Sequence, residues 1–350
     1  MSRSTEWGCY VASAFPGAGL ALATQAGLID EKIALVFFSL SFVGLNLAHM
    51  AATWSRVYLD PENMKSALLE RAWVPGLLVA LAIGGEALGY GAALLGLQYY
   101  LSLHHAMMQN YGLARATQRK TGRVLSASSL RIDQAAGFLL PFGALLYRAR
   151  AVCHIYSTAH LWMPPVWLIA AMAMTGAVAL VVYLGREVLA HRRGEKVDPL
   201  GPAIVVSQVG LWTILPLVMD HPAIPLYALA SGHYVQYLYF VWKVEHARPG
   251  LQVVPPELRK RIAPPSKFAY LAALTSFGGA GVVVLTIVAL GARAIAEANG
   301  MRPATSLPIA PWAAAMIGVN LAHYWLDHRI WRFKPNNSSS HAPMVAAHST

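Results

Sequence analysis

The chain reads as an all-α polytopic integral membrane protein, a helical bundle of about ten transmembrane helices. Three observations carry that expectation. Of 350 residues, 56% are hydrophobic and only 12% charged, whereas a soluble domain carries about 25% charged residues. Apolar runs recur along most of the length, and several exceed the roughly 18–20 residues that span a bilayer. The net charge of +11 is held by cations in the connections between these runs, where the positive-inside rule places them. That distribution argues for a lipid bilayer and against a nucleic-acid partner.

In chain order the first span is expected near residues 8–28. The N-terminus shows no cleavable signal pattern, so this stretch is expected to stay. The second, 32–57, follows Asp30-Glu31-Lys32 and contains one of the cleanest apolar runs, 33–50. The third and fourth, 73–89 and 91–112, are divided where Gly84, Gly85, Gly89 and Gly91 crowd a turn. The fifth, 136–162, is interrupted by Arg148 and Arg150. Pro164-Pro165 separates it from the sixth, 165–189. Asp220-His221-Pro222 separates the seventh and eighth, 201–219 and 223–243. The ninth, 267–295, holds the long run 268–292, and the tenth covers 309–331. Residues 1–333 read as one transmembrane domain. The Asn/Ser/Pro/His-rich residues 334–350 read as a disordered cytoplasmic tail.

Cation-rich and cation-poor connections alternate. Arg115, Arg119, Lys120, Arg123 and Arg131 fill one loop; Arg186, His191, Arg192, Arg193 and Lys196 fill another. A third holds Lys243, Arg248, Arg259, Lys260, Arg261 and Lys267. This pattern predicts both termini in the cytoplasm of a bacterial inner membrane, with the segment from Arg293 to Arg302 a mild exception.

Two nearly identical phrases stand near the ends of the chain, Gly44-Leu-Asn-Leu-Ala-His49 and Gly318-Val-Asn-Leu-Ala-His323. An ionisable residue inside an apolar span is costly and marks a functional site by default. His104, His105 and His233 lie in comparable positions. Each of these histidines precedes a cationic helix end by six to eleven residues. At 1.5 Å per residue this is about 9–17 Å, one band in the cytoplasmic half of the bundle. Histidines scattered through a core have no reason to share a depth. Four helices delivering imidazoles to one layer is what a bundle-core metal site requires.

Residues three, four and seven apart share a helix face. On these faces His49 is flanked by Asn46, Thr53 and Arg56, and His323 by Asn320 and Asp327. His105 is flanked by Gln98, Ser102 and Gln109, and His233 by Gln236 and Tyr237. The expected metal ligands are His49, His105, His233 and His323, with His104 at the edge of the site. Asn46, Asn320, Gln109 and Gln236 are placed as groups that orient the imidazoles. Asp327 and Tyr237 are placed as catalytic groups, Asp327 also as a carboxylate ligand. Arg148 is either a snorkelling cation or a cationic lining for an anionic group such as a haem propionate. Glu86 reads as a turn residue on the outer side. Tyr99, Tyr100, Tyr111, Tyr234, Tyr237, Tyr239, Trp242, Tyr324, Trp325 and Trp331 read as an interfacial aromatic belt or a pocket wall.

Imidazole suits iron, copper, zinc and nickel, and two cysteines, Cys9 and Cys153, supply neither a thiolate cluster nor a disulfide framework. Four or five histidines with one carboxylate point to one or two non-haem iron ions activating O₂ against a lipophilic membrane substrate. In this donor set the chain resembles the histidine-rich integral membrane di-iron desaturases and hydroxylases. Their H-x-x-x-H and H-x-x-H-H clusters are absent here, so no residue is carried over. A separate electron-donor protein is implied, because no flavin or cluster signature is present. The rival readings are a single-haem b-type carrier, ligated by His49 with His233 or by His105 with His323, a copper site, and a transporter. The twin phrases would make a transporter a parallel repeat. No Walker motif, nucleophile elbow or dinucleotide glycine pattern appears.

Overall fold

The computed structural model describes residues 3–58, 68–152, 163–221, 223–247, 267–301 and 311–330. Every regular element among them is helical: α1 (Arg3–Tyr10), a 3₁₀ turn (Ala12–Ala14), α2 (Phe15–Gln25), α3 (Glu31–Tyr58), α4 (Leu68–Ala87), α5 (Gly91–Arg119), α6 (Ala127–Val152), α7 (Val166–Arg192), α8 (Leu200–Val218), α9 (Ala223–Ala247), α10 (Lys267–Ala298) and α11 (Pro311–Ile330). Cys153, Trp331, the cations from Arg248 to Arg261, residues 153–162 of the expected fifth span and the tail lie outside the described residues, as does the side chain of Arg56.

Among the described residues four helices are long and apolar enough to cross a membrane: Glu31–Trp54, Val166–Arg192, Leu200–Val218 and Ala269–Ala298. Their outward faces are apolar; α7 exposes Met174, Val178 and Val181, and α10 exposes Phe277, Val284 and Ile287. A contiguous apolar exterior on this scale fits lipid rather than water. Of the other expected spans, the apolar stretch Ala72–Ala87 of α4 is short, and α5, α6, α9 and α11 fall below that hydropathy. In α5, α9 and α11 the shortfall comes from the glutamines, asparagines and histidines that make up the candidate site.

Two expectations are corrected. The stretch 8–28 is not one span, because Pro16 sits at the start of α2 and the chain breaks into α1, the 3₁₀ turn and an 11-residue α2, about 16 Å long. Glu86 is not in the turn. It lies in the last turn of α4, 1% exposed, 3.8 Å from Arg293 of α10. That partner gives Arg293 a reason to stand where cations are otherwise sparse. The turn comes three residues later at Gly89, whose φ of +94° suits only glycine, and Tyr90 N–H closes it on Gly85 C=O at 2.8 Å.

Side-chain caps set several starts. Asp30 Oδ1 accepts from Lys32 and Ile33 N–H ahead of α3 (2.9 and 3.3 Å), and Asp198 Oδ1 accepts from Leu200 N–H ahead of α8 (3.1 Å). Ser126 Oγ accepts from Ser129 N–H at 3.2 Å, which starts α6 at Ala127 rather than near residue 136. The polar first turns of α6 conceal that start from a hydropathy reading.

The described chain divides into two compact units. The first holds residues 1–43 and 102–236, the second 44–101 and 237–350. In the first unit α6 and α7 pack through small residues. A Cβ at Gly143 would stand 3.0 Å from Ala173 Cβ, and one at Gly176 would overlap the backbone nitrogen of Leu140. Backbones this close are how helices associate in lipid, where no hydrophobic force separates protein from solvent. The same unit holds an ion network in which Arg123 meets Glu187 at 2.6 Å and Arg186 meets Asp133 at 2.6 Å and Glu187 at 3.0 Å. Glu187 is 4% exposed. Glu187→Ala is expected to cost about 2 kcal/mol, below the ~3–5 of a fully buried pair because both guanidiniums reach water. Thermal unfolding in detergent reads that cost.

In the second unit α4 packs on α11, with Gly318 against Val79 and a core of Ala82, Ala314, Ile317 and Leu321. Leu47, Met50, Met316 and Val319 form a neighbouring core, packed by Trp54, Val282 and Leu285. Thr275 Oγ1 donates to Gly44 C=O at 3.4 Å, and Gly278 lies against the Leu47 backbone. Two copies of the repeated phrase are thus seated in this one unit.

Candidate metal centre

Within the second unit α3 and α11 bring the repeated phrases together. His49 and His323 are 1% and 0% exposed, and their ring centres lie 4.4 Å apart at 64°. A ligand nitrogen of one lies within 4.8 Å of a ligand nitrogen of the other. One turn further along, Thr53 Oγ1 donates to Asp327 Oδ1 at 2.8 Å. Equivalent positions of the two phrases therefore face each other, and the helices run in the same direction here, as a parallel repeat requires.

Asp327 anchors the group. Its Oδ2 stands 3.6 Å from His323 Nε2, and its Oδ1 accepts from Tyr237 OH at 2.6 Å. Tyr237 OH is also 2.5 Å from Thr53 Oγ1, and its ring centre is 4.3 Å from that of His49. Two hydroxyl hydrogens serve three short contacts. With Asp327 ionised both hydroxyls point at the carboxylate, and two donors offset the cost of a buried charge. Asn46 and Asn320 are buried one turn before the histidines, at 2% and 6% exposure. Asn46 Nδ2 has no hydrogen-bond partner among the described residues.

The first unit holds the other histidines. The rings of His105 and His233 lie 5.3 Å apart, nearly perpendicular at 89°. Gln109 Nε2 donates to the His233 C=O at 3.0 Å, and Gln236 Nε2 donates to the Tyr10 C=O at 2.7 Å. These two glutamines hold backbone rather than imidazole, so they fix the course of α9 and its packing on α1. His104 is exposed and turned against Phe138, ring centres 5.4 Å apart. Adjacent helical residues diverge by about 100°, which separates it from His105. Arg148 Nη2 donates to the Met219 C=O at 2.6 Å and to the Asp220 C=O. It satisfies carbonyls just beyond α8 and does not join the histidines.

The structure adds Thr53 as a member of the Asp327 group. Its signal lay in the sequence, because both phrases carry a polar residue four positions after the histidine, Thr53 after His49 and Asp327 after His323. Two imidazoles and one carboxylate on two helices make a donor set that suits a first-row transition metal and excludes soft thiolate chemistry. The chain matches no family model, no curated protein and no solved structure.

Proposed function

We propose that the chain is a membrane-embedded, histidine-ligated metalloenzyme, an iron-dependent oxidoreductase acting on a lipophilic substrate. His49, His323 and Asp327 hold the metal, and the observation that carries this is their convergence in one buried cluster of the second unit. His105 and His233 offer a second imidazole pair in the first unit. Two histidines and a carboxylate are the donors of non-haem iron oxygenases, and iron bound there would supply O₂ activation. Tyr237 and Thr53 hold the Asp327 carboxylate in place, and Tyr237 OH is the proton donor beside it. A separate protein delivers electrons. The bundle sits in a bacterial inner membrane.

The ring geometry favours a bare ion over haem at this pair. Bis-imidazole ligation places a porphyrin between the two rings, with each metal–nitrogen bond near 2.0 Å. Ring centres 4.4 Å apart leave no room for the macrocycle.

Elemental analysis and an absorption spectrum of detergent-purified protein test the proposal. Iron without a Soret band is expected, with His49→Ala and His323→Ala each losing most of it. A sharp Soret band would replace this reading with the haem one. Full metal content in both variants would end it.

A further inference from the structure

The second unit contains a large apolar groove whose lining includes Met50 and Val319. Its volume is about 980 Å³, and the walls come from α3, α4, α10 and Val319 of α11. This is the upper range of small-ligand sites, about 300–1,000 Å³. On α4 the lining runs from Ala72 to Gly84, about 18 Å at 1.5 Å per residue. The groove is therefore long enough to receive an extended chain. It covers more than half of a hydrocarbon core about 30 Å thick.

Glycines form part of the floor. A Cβ placed at Gly76, Gly84 or Gly281 would meet nothing within 4 Å, so these positions leave space that no protein atom fills. Only two lining residues carry a polar side-chain atom, Trp54 and Tyr58, one turn apart on α3. The Trp54 indole N–H is buried and has no acceptor among the described residues. A buried donor left unmade is unfavourable, and an acceptor supplied by a ligand removes that penalty. The metal cluster adjoins the same helices. Met50 follows His49 directly, and Val319 stands one helical turn before His323.

We infer that this groove binds one membrane-derived apolar chain, acyl or isoprenoid, that ends in an oxygen acceptor received by the Trp54 N–H. A plain hydrocarbon would leave that donor unmade. The inference builds on the metalloenzyme reading and names the class of its substrate. Met50 and Val319 are the lining residues that stand nearest His49 and His323 along α3 and α11.

The test uses the full chain in detergent and methyl stearate bearing a diazirine, with unlabelled methyl stearate and octadecane as competitors. Saturable cross-links are expected in residues 72–84 and 277–292, with methyl stearate competing better than octadecane. Gly281→Leu and Gly76→Leu fill the groove and should cut labelling at least about ten-fold, while iron content stays at the wild-type level. Trp54→Phe should weaken competition by methyl stearate about five-fold, the worth of one hydrogen bond, and leave that by octadecane unchanged. Unsaturable labelling, spread equally over the outward face of α7, would mean annular lipid only and overturn the inference. So would Gly281→Leu labelling at the wild-type level. Equal competition by octadecane would overturn the acceptor-ended class. Iron lost in His49→Ala with labelling intact separates the groove from the centre, and a metal-free wild type that still labels would sink the metalloenzyme reading alone.

Discussion

Asp327→Asn is expected to keep the fold and lose metal affinity by about 10–100-fold, the usual cost of disturbing a carboxylate bonded to a ligating histidine. The amide oxygen still accepts from Tyr237 and Thr53, which now hold Asp327 Oδ1 at 2.6 and 2.8 Å. What disappears is the negative charge 3.6 Å from His323 Nε2. Asp327→Ala should behave differently. It removes the acceptor as well as the charge; Tyr237 and Thr53 can then bond each other, 2.5 Å apart, but one hydroxyl hydrogen is left unsatisfied, at about 1–3 kcal/mol. The alanine variant is therefore expected to lose both metal and thermal stability, and the asparagine variant mainly metal. Metal titration and thermal unfolding on the same preparations separate the two. Wild-type affinity in Asp327→Asn would show that the carboxylate neither binds the metal nor orients His323.

That pair of results bears on how the sequence encodes the site. The repeated phrase was visible as a string of letters, and the polar residue four positions after each histidine extended it by one turn. Helical periodicity then predicted which side chains share a face, and His49 with Thr53, like His323 with Asp327, do. What periodicity does not give is which faces meet. Gln109 and Gln236 sit where second partners of an imidazole would sit, yet they bond the carbonyls of His233 and Tyr10. His104 and His105 are indistinguishable by composition, and only the rotation of α5 sends one toward His233 and the other toward Phe138.

The helices themselves were legible where the apolar run was long, as in α7 and α10. They were misjudged where polar residues belong to the helix, as in the first turns of α6, or where a proline divides an apolar run, as at Pro16. The hydropathy that announces a span and the polarity that builds a site compete for the same residues. That polarity hides α5, α9 and α11 as membrane spans, while α3, which carries His49, stays apolar enough to cross.

Close packing is the part of the fold least visible in the letters, and one substitution made twice on the same helix exposes it. Gly176→Ala is expected to destabilise the protein and Gly185→Ala to leave it unchanged or slightly firmer. Both glycines lie inside α7, so alanine gains helix propensity of up to about 1 kcal/mol at either position. At Gly185 the new methyl meets nothing within 4 Å. At Gly176 it collides with the backbone of Leu139 and Leu140, which cannot move aside as a flexible side chain would. Overpacking of this kind costs about 1–3 kcal/mol, and separating α6 from α7 to relieve it gives up the van der Waals contact that holds helices together in lipid. The two substitutions should thus shift the unfolding temperature in detergent in opposite directions. Equal shifts of the same sign would mean that α6 and α7 do not meet at Gly176, and the small-residue packing assigned to the first unit would fall with it.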